Sequence, residues 1–407
     1  MTLGEPTARY GGARRRTPSK QDRDANENVE LRRVSKLAWH EAPDLTLEGP
    51  LEAIVRPIAS TTCDLDRRII SGLVSFGEGF PIGHECVAEV VEVGDQVSSV
   101  VPGDVVVVPW HICCGVCPEC RRGLSAACSS VPRMSGYGVP IAGDWGGLFS
   151  EQVRVPFADG MLVRVPDGVD PAWAASAGDN FTEGYIAATR GLSKHPGAPV
   201  LVVNSLPSLG LFAVDQALAA GASRVDFIDT SEQRREVARA LGATTQAEIV
   251  PDDHHWAYPV VIGAARDPEM LAEAVRCLTP GGHMSNAAMF FADTPLPLWE
   301  FYKRDITFSM GTASVRPHLP AVLELLRQGR LRPDRVMTTH PWDDAPTALL
   351  EPDMKPVLVR PRLFAKARDT GAVTGSDEAP GRRSEGSRHV GPTAKPIACA
   401  IPPREEH

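Results

Sequence analysis

Short apolar runs separated by turn residues mark the first part of the chain. Residues 53–58, 86–93 and 105–108 have the length and the β-branched content that are typical of strands. The turn Pro102-Gly103-Asp104 leads into the third of these runs. This pattern predicts a β-rich domain over roughly the first 165 residues.

After Pro171, apolar strand candidates alternate with amphipathic helix candidates. The strand candidates are 199–203, 224–229 and 259–262. The helix candidates that follow them are 209–220, 232–241 and 269–278. A further helix is predicted over 320–328, with short strands after it to about residue 359. Such βαβ alternation predicts a parallel sheet of the doubly wound type, so the predicted fold class is α/β.

Both ends of the chain are polar, and we expect residues 1–33 and 363–407 to form a disordered arm and a disordered tail. The 407 residues carry 42 basic and 51 acidic side chains, a formal charge of −9, which argues against a nucleic-acid partner. No apolar run reaches the ~18 residues that span a bilayer, and the Arg14-Arg15-Arg16 cluster is followed by no apolar segment of a secretory signal. We therefore expect a cytoplasmic protein of two domains, without a membrane partner.

Four of the nine cysteines have the spacing of a metal site. They are Cys114, Cys117, Cys120 and Cys128. Two residues separate Cys114 from Cys117 and Cys117 from Cys120, and seven separate Cys120 from Cys128. In a reducing compartment, such a cluster favours a zinc ion held by thiolates over a disulfide framework. Four thiolates leave no open position, so the predicted lobe, residues 113–128, is a structural zinc site with Cys113 as a spectator. The alternative is a group of buried cysteines without a metal.

The turn after the first strand of the parallel sheet is a degraded dinucleotide fingerprint. The full pattern, G-x-G-x-x-G, lets backbone amides and a helix N-terminus approach a diphosphate. Only the third glycine, Gly210, is present, and Ser205 and Pro207 stand in the first two positions. The predicted cofactor-binding residues of this turn are Ser205, Pro207, Ser208, Leu209 and Gly210. Because proline has no N–H donor, the pattern leaves weak or altered binding open.

Asp229 ends the second strand, 19 residues after Gly210. A carboxylate there accepts the ribose hydroxyls of NAD and repels the 2′-phosphate of NADP, so the sequence predicts NAD as the cofactor. Arg234, five residues later, is expected to reach the same ribose or the diphosphate. The alternative is that Asp229 caps the helix that follows it.

The third motif is Gly83-His84-Glu85, which precedes a strand and has Cys63 upstream of it. A neutral imidazole and a thiolate are both zinc ligands, and a third ligand nearby would leave one coordination position open. The run from Gly83 to Ala88 resembles the zinc signature of the medium-chain alcohol dehydrogenases. The cysteine lobe and the βαβ region follow in that family's chain order, and the resemblance covers roughly residues 34–362.

That resemblance implies a catalytic zinc ion held by Cys63, His84 and Asp179. It also implies that Glu85 lies beside the metal and that Asp66 orients a metal ligand. The segment around Asp179 is similar to the formaldehyde dehydrogenase branch, in which an aspartate replaces the more usual cysteine. The alternative is that Asp179 caps the helix after it.

The resemblance further implies an order of domains. A catalytic domain, a partly open β-barrel of the GroES-like type, is expected over 34–180, an NAD-binding Rossmann domain over 181–315, and a return to the catalytic domain over 316–362. The implied protein is a zinc-dependent oxidoreductase that exchanges a hydride between NAD(H) and a small-molecule alcohol or aldehyde, with zinc polarising the substrate oxygen. We expect two zinc ions per chain and a homo-oligomer, either a dimer or a tetramer.

Two departures from the family pattern keep other interpretations open. Leu65 stands where the family usually has a Ser or Thr that relays the substrate proton, so water or another group, with Asp64 as one candidate, must take this role. Together with the degraded turn, this leaves a non-catalytic or weakly active metal- or nucleotide-binding protein as an alternative. A zinc-free quinone or enoyl reductase is another alternative, and the predicted catalytic ligands argue against it.

Overall fold

The computed structural model describes residues 26–351 and 354–364. Most of the predicted arm, residues 1–25, and most of the predicted tail, residues 365–407, lie outside the described residues.

The first part of the chain is built from short strands with brief helices between them. The strands are β1 (Glu27–Arg33), β2 (Lys36–Glu41), β3 (Ala53–Thr61), β4 (Phe80–Pro81), β5 (Glu85–Val93), β6 (Val105–Val108), β7 (Val153–Val155) and β8 (Val163–Arg164). The helices are α1 (Asp64–Ile70), α2 (Pro118–Arg121), α3 (Ala158–Met161) and α4 (Pro171–Ala174). β3, β5, β6 and β8 pair antiparallel in that order, and β7 also pairs with β3. The β-rich character predicted for this region is confirmed.

The boundary that we predicted at residue 33 is wrong, because β1 lies inside the segment expected to be a disordered arm. β1 pairs with β2 and β4 in a three-stranded sheet. Val29 and Leu31 alternate with polar residues and are buried, and the Val29 amide donates to the Phe149 carbonyl at 2.8 Å. Two apolar positions in a charged segment are too few to reveal a strand by their period alone.

The second part of the chain alternates strands and helices. The helices are α5 (Asn180–Leu192), α6 (Leu209–Ala219), α7 (Glu232–Leu241), α8 (Pro251–His254), α9 (Pro268–Arg276) and α10 (Leu298–Arg304). The strands are β9 (Val200–Asn204), β10 (Val225–Ile228), β11 (Thr244–Gln246), β12 (Tyr258–Ala264), β13 (Leu278–Asn286) and β14 (Thr307–Met310). All six strands are parallel, in the order β11-β10-β9-β12-β13-β14. This is the doubly wound parallel sheet that the sequence predicts, and the α/β fold class is confirmed.

The point where the strand order reverses fixes where a ligand can bind. β9 lies between β10 and β12, so the chain leaves β9 in one direction and returns to its other side later. In open α/β sheets the crevice at the carboxyl ends of such neighbouring strands is the usual ligand site. The turn after β9, residues 205–208, lies there.

The chain then returns to the first sheet. The remaining elements are α11 (Leu319–Arg327), β15 (Met337–Pro341), α12 (Ala345–Ala348) and β16 (Lys355–Val359). β16 pairs antiparallel with β3 and parallel with β15. Since β3 ends only two residues before Cys63, this pairing brings a late segment of the chain next to the first predicted metal ligand.

Candidate functional site

The cysteine that begins α1 is held by the cap of that helix. Cys63 is the N-cap residue, and its Sγ accepts a hydrogen bond from the Leu65 amide at 3.1 Å. In return the Cys63 amide donates to the Asp66 carboxylate at 2.9 Å. These two hydrogen bonds fix the direction of the thiol. The carboxylate that takes part in them, Asp66, is the one that the family resemblance expects to orient a metal ligand.

His84 faces two carboxylates. Its Nδ1 lies 3.3 Å from Asp66 Oδ1 and its Nε2 lies 3.4 Å from Asp179 Oδ2. The preceding Gly83 has φ +87°, and a Cβ there would collide with the Phe149 ring, so only glycine permits this turn. Both Asp66 and His84 are buried, and the imidazole therefore has a defined orientation between them.

Asp179 stands immediately before α5, in the position of a helix cap. Its side chain makes no capping bond to the first turn of that helix, so the structure does not support the capping alternative. Sγ of Cys63, a ring nitrogen of His84 and a carboxylate oxygen of Asp179 all lie within 4.8 Å of one another. The three residues that the resemblance selected from separate parts of the chain are therefore brought together.

The electrostatics of this cluster suit a cation. Burial raises the pKa of the Cys63 thiol to about 12. Burial alone would lower the pKa of His84, but the nearby Asp66 and Cys63 raise it well above its usual range. A divalent ion that takes the place of the protons satisfies all three groups at once, and one thiolate, one imidazole and one carboxylate form a donor set that zinc accepts.

Glu85 is held by a lysine that the sequence analysis did not single out. Lys355 Nζ lies 2.6 Å from Glu85 Oε2, and both side chains are almost fully buried. Glu85 Oε1 accepts a hydrogen bond from the Asn180 amide at 3.0 Å. Burial raises the pKa of Glu85 to about 7 even though Lys355 lowers it. A lone lysine before the apolar run of β16 offers no periodic signal, so sequence alone could not find this pair.

The four cysteines of the lobe also converge. Their sulfur atoms lie within 4.8 Å of one another. Backbone amides point at the sulfurs, as in the Cys117 amide that donates to Cys114 Sγ at 3.3 Å. A Cβ on Gly115 would lie 2.8 Å from the Gly160 Cα, so glycine is needed at this turn. The thiol of Cys113 points away from the cluster to the Gly160 carbonyl, at 3.5 Å. A tetrathiolate zinc site fits this arrangement.

A cavity of about 350 Å³ opens above the cluster of Cys63, His84 and Asp179. Apolar side chains from both parts of the chain line it: Leu65, Trp110, Val139, Ile141, Phe290 and Met310. Glu183 is also a lining residue, and burial raises the pKa of its carboxyl group to about 8. A cleft with apolar walls and a metal-ligand set at one end is the usual form of a site for a small organic substrate.

The N-terminus of α6 is already bonded to a carboxylate of the chain itself. Asp64 accepts hydrogen bonds from the Ser208 hydroxyl at 2.8 Å, the Ser208 amide at 3.3 Å and the Leu209 amide at 3.0 Å. These are the donors that a dinucleotide fingerprint offers to a phosphate. Asp64 was also a candidate for the proton relay, and both of its oxygens are engaged in these bonds.

The rest of the turn is closed by Asn204. Its amide nitrogen donates to the Leu206 carbonyl at 2.9 Å, and its Oδ1 accepts from the Leu206 amide at 3.2 Å. Gly210 permits this close approach, because a Cβ there would collide with Asn204 Oδ1. Ser205 is exposed, and Pro207 offers no donor.

Asp229 lies at the carboxyl end of β10 as predicted, but it is fully buried. Arg234 binds both of its oxygens, at 2.6 and 2.7 Å. The Asn204 amide and the Ser231 backbone amide donate to the same carboxylate, at 2.5 and 2.8 Å. The helix cap of α7 is Ser231, so Asp229 itself is not the cap. The sequence analysis expected Arg234 to reach the ribose or the diphosphate of the cofactor, whereas in the structure its guanidinium group pairs with the Asp229 carboxylate and neutralises it.

No helix among the described residues combines the length and the hydropathy that crossing a bilayer requires.

Comparisons with known proteins agree with this geometry. A family model described as "Alcohol dehydrogenase GroES-like domain" matches residues 49–167, and one described as "Zinc-binding dehydrogenase" matches residues 208–328. A probable zinc-binding alcohol dehydrogenase of Mycobacterium tuberculosis is 32% identical over 310 residues, which cover 74% of this chain and 79% of the relative. A glutathione-independent formaldehyde dehydrogenase of Bacillus subtilis is 34% identical over 200 residues, 47% of this chain and 48% of the relative.

Among solved structures, the alcohol dehydrogenase TADH from Thermus sp. ATN1 superposes with a TM-score of 0.76 at 31% sequence identity. The match covers 82% of this chain and 99% of that one.

Proposed function

The chain belongs to the zinc-type medium-chain alcohol dehydrogenase family, and from this premise we propose that it is a zinc-dependent, NAD-linked oxidoreductase that interconverts an alcohol and an aldehyde. The observation that carries the proposal is the convergence of Cys63, His84 and Asp179 at one end of the apolar cleft. Membership of this family makes the protein an oxidoreductase of the alcohol dehydrogenase type.

Cys63, His84 and Asp179 would together hold one zinc ion. The four cysteines of the lobe would hold a second zinc ion. Asp66 Oδ1 lies 3.3 Å from His84 Nδ1, so its negative charge favours the tautomer with the proton on Nδ1, which leaves Nε2 to bind a metal. The chemistry that a bound zinc ion and a nicotinamide would supply is polarisation of the substrate oxygen and exchange of a hydride.

The other residues of the cleft position the substrate and exclude water. The apolar walls favour the carbon skeleton of an alcohol, while the metal-ligand end is the place for its oxygen. Glu85 is fixed by Lys355 and by the Asn180 amide, so its charge stays next to His84 instead of entering the cleft. Leu65 offers no proton-carrying group, and the proton of the substrate hydroxyl must leave through water or a carboxyl group of the cleft.

The preference for NAD over NADP is proposed from Asp229. A carboxylate at the end of β10 disfavours a 2′-phosphate, but its ion pair with Arg234 reduces that repulsion. We therefore expect NADH to bind more tightly than NADPH by a modest factor, which competitive titration with the two cofactors measures.

The experiment that tests the proposal is reduction of NAD with a panel of primary alcohols, polyols and hydrated aldehydes. Cys63→Ala should abolish turnover, and Cys277→Ala, which removes an equally buried thiol outside the site, should retain it. Equal activity of both variants would contradict a metal-dependent reaction at Cys63.

A weakly active or non-catalytic nucleotide-binding protein is the second candidate. The observation that favours it is the engagement of the α6 amides by Asp64 and of Asp229 by Arg234. Measurement of turnover distinguishes the two candidates. The second candidate predicts that the protein binds zinc and NADH but that no alcohol of the panel reduces NAD.

A further inference from the structure

A second cavity, of about 250 Å³, adjoins the catalytic cleft. The two share Asp64, Leu206 and Arg266 in their walls. The second cavity lies between α1, which carries the catalytic cysteine at its start, and the turn after β9. Its size is that of about eight water molecules at ~30 Å³ each, which is sufficient for a diphosphate group.

Two guanidinium groups in this cavity find no partner in the part of the chain that the structure describes. Arg68 on α1 and Arg266 after β12 make no hydrogen bond or ion pair through their side chains within residues 26–351 and 354–364. The Nε atom of each is buried and unpaired. The third arginine of the cavity, Arg67, is instead bonded to the Glu351 carbonyl at 2.7 Å.

The two unpaired cations also act on each other. Burial lowers the pKa of Arg266, the Asp64 carboxylate opposes this, and the charge of Arg68 lowers it further. Holding two like charges together in a partly buried cavity costs free energy, and an anion between them removes that cost. The planar guanidinium group of arginine can donate two parallel N–H hydrogen bonds to the oxygens of a phosphate.

The usual phosphate donors of the fold are occupied. The amides of Ser208 and Leu209 bind the Asp64 carboxylate, and Pro207 has no amide proton. A phosphate at the N-terminus of α6 would have to displace Asp64, whereas a phosphate between Arg68 and Arg266 meets unpaired donors. The Arg266 amide is bonded to the Ser205 hydroxyl at 3.2 Å, which holds Arg266 against the turn.

We propose that Arg68 and Arg266 bind the diphosphate of the nicotinamide cofactor in this second cavity, in place of the α6 amides that Asp64 occupies. The inference rests on the proposed function, since the cofactor that it positions is the one assigned there. A dinucleotide bound in this way would extend from the second cavity into the cleft at Cys63, through the wall that the two cavities share.

The test is titration of the zinc-containing full-length protein with NADH, followed by fluorescence or calorimetry. Arg68→Gln and Arg266→Gln should each raise the dissociation constant about tenfold, the effect of losing one charged hydrogen bond. Arg67→Gln is the matched control, because it removes the same charge from the same cavity without removing an unpaired donor. NADPH should lose affinity by the same factor as NADH, since both carry the diphosphate.

Several results would overturn the inference. They are NADH binding by both variants within twofold of wild type, an equal loss in Arg67→Gln, and a loss confined to NADPH, which would place the 2′-phosphate at the arginines. If a glutamine variant does not fold, Arg68→Lys or Arg266→Lys takes its place. The lysine variant should bind NADH more weakly than the wild type, because an ammonium group lacks the planar set of N–H donors of a guanidinium group.

The design separates this inference from the proposed function. Tight binding of NADH by wild type and by both arginine variants would leave the proposed function intact and refute the arginine site alone. Absence of NADH and NADPH binding by wild type would refute both.

Discussion

Asp64 joins α1, which follows Cys63 directly, to α6, the helix after the first strand of the parallel sheet, and its removal should destabilise that connection. Its carboxylate receives three hydrogen bonds from Ser208 and Leu209 at the start of α6. Ser208 makes no capping bond with its own side chain, so Asp64→Ala leaves the first turn of an 11-residue helix without its acceptor.

The magnitude follows from the two roles of the carboxylate. Loss of a capping side chain costs about 0.5–2 kcal/mol. An anion at a partly buried helix N-terminus contributes up to ~2 kcal/mol. The burial of Asp64 works in the opposite direction, because a charge taken out of water is costly. We expect a net decrease of about 2 kcal/mol in the free energy of unfolding, and about half of that for Asp64→Asn, which keeps one oxygen acceptor.

Urea unfolding and thermal melting at pH 7 measure this effect, and zinc content is checked in parallel to exclude damage at Cys63. The melting temperature should fall by about 4 °C for Asp64→Ala. Asp252→Ala is the control, because Asp252 is an exposed acidic residue in the first turn of α8 and caps nothing. A stability of Asp64→Ala within ~0.5 kcal/mol of wild type would refute the capping role.

Three further predictions concern separate parts of the chain. Cys117→Ser should lose one zinc ion per chain, as measured by elemental analysis, and its melting temperature should fall. Cys113→Ala should keep the full zinc content. Equal zinc content in the two variants would contradict the tetrathiolate lobe. Burial lowers the pKa of His283 to about 4, so the contribution of this histidine to stability should be constant above pH 6.5 and fall as the pH drops from 6.5 towards 4. The difference between the urea midpoints at pH 7 and pH 5 should therefore be smaller in His283→Gln than in the wild type, and an unchanged difference would contradict this assignment. Lys355→Met should lower the free energy of unfolding by about 3 kcal/mol, because Glu85 is left buried without its partner. The double variant Lys355→Met with Glu85→Gln should recover part of this stability. Absence of recovery in thermal melts would argue against the ion pair as the cause.

The elements with a strong period were predictable from sequence. The helix over 232–241 is found with those bounds, and the strand over 105–108 likewise, because amphipathic and β-branched patterns there agree with local turn residues. The candidate metal ligands were predictable because their spacing and chain order matched a known signature. Their convergence within 4.8 Å required the fold to bring residues 63, 84 and 179 together.

The contacts that cross between elements could not be predicted. The sequence shows Asp64 as a residue beside Cys63, but nothing in its spacing indicates that it caps a helix 144 residues later. Lys355 and Arg266 are single charged residues without a period, and their roles come from where β16 and β12 place them. The strand at 27–33 was missed for a different reason, because its apolar content is too low for a period to be recognised.

Metal stoichiometry in the Asp179→Ala variant tests the central claim most directly, because Asp179 is the ligand least expected from the common form of the family. Elemental analysis should give two zinc ions per chain in the wild type and one in the variant, with the cysteine lobe still loaded. Two zinc ions in both proteins would contradict a metal held by Cys63, His84 and Asp179.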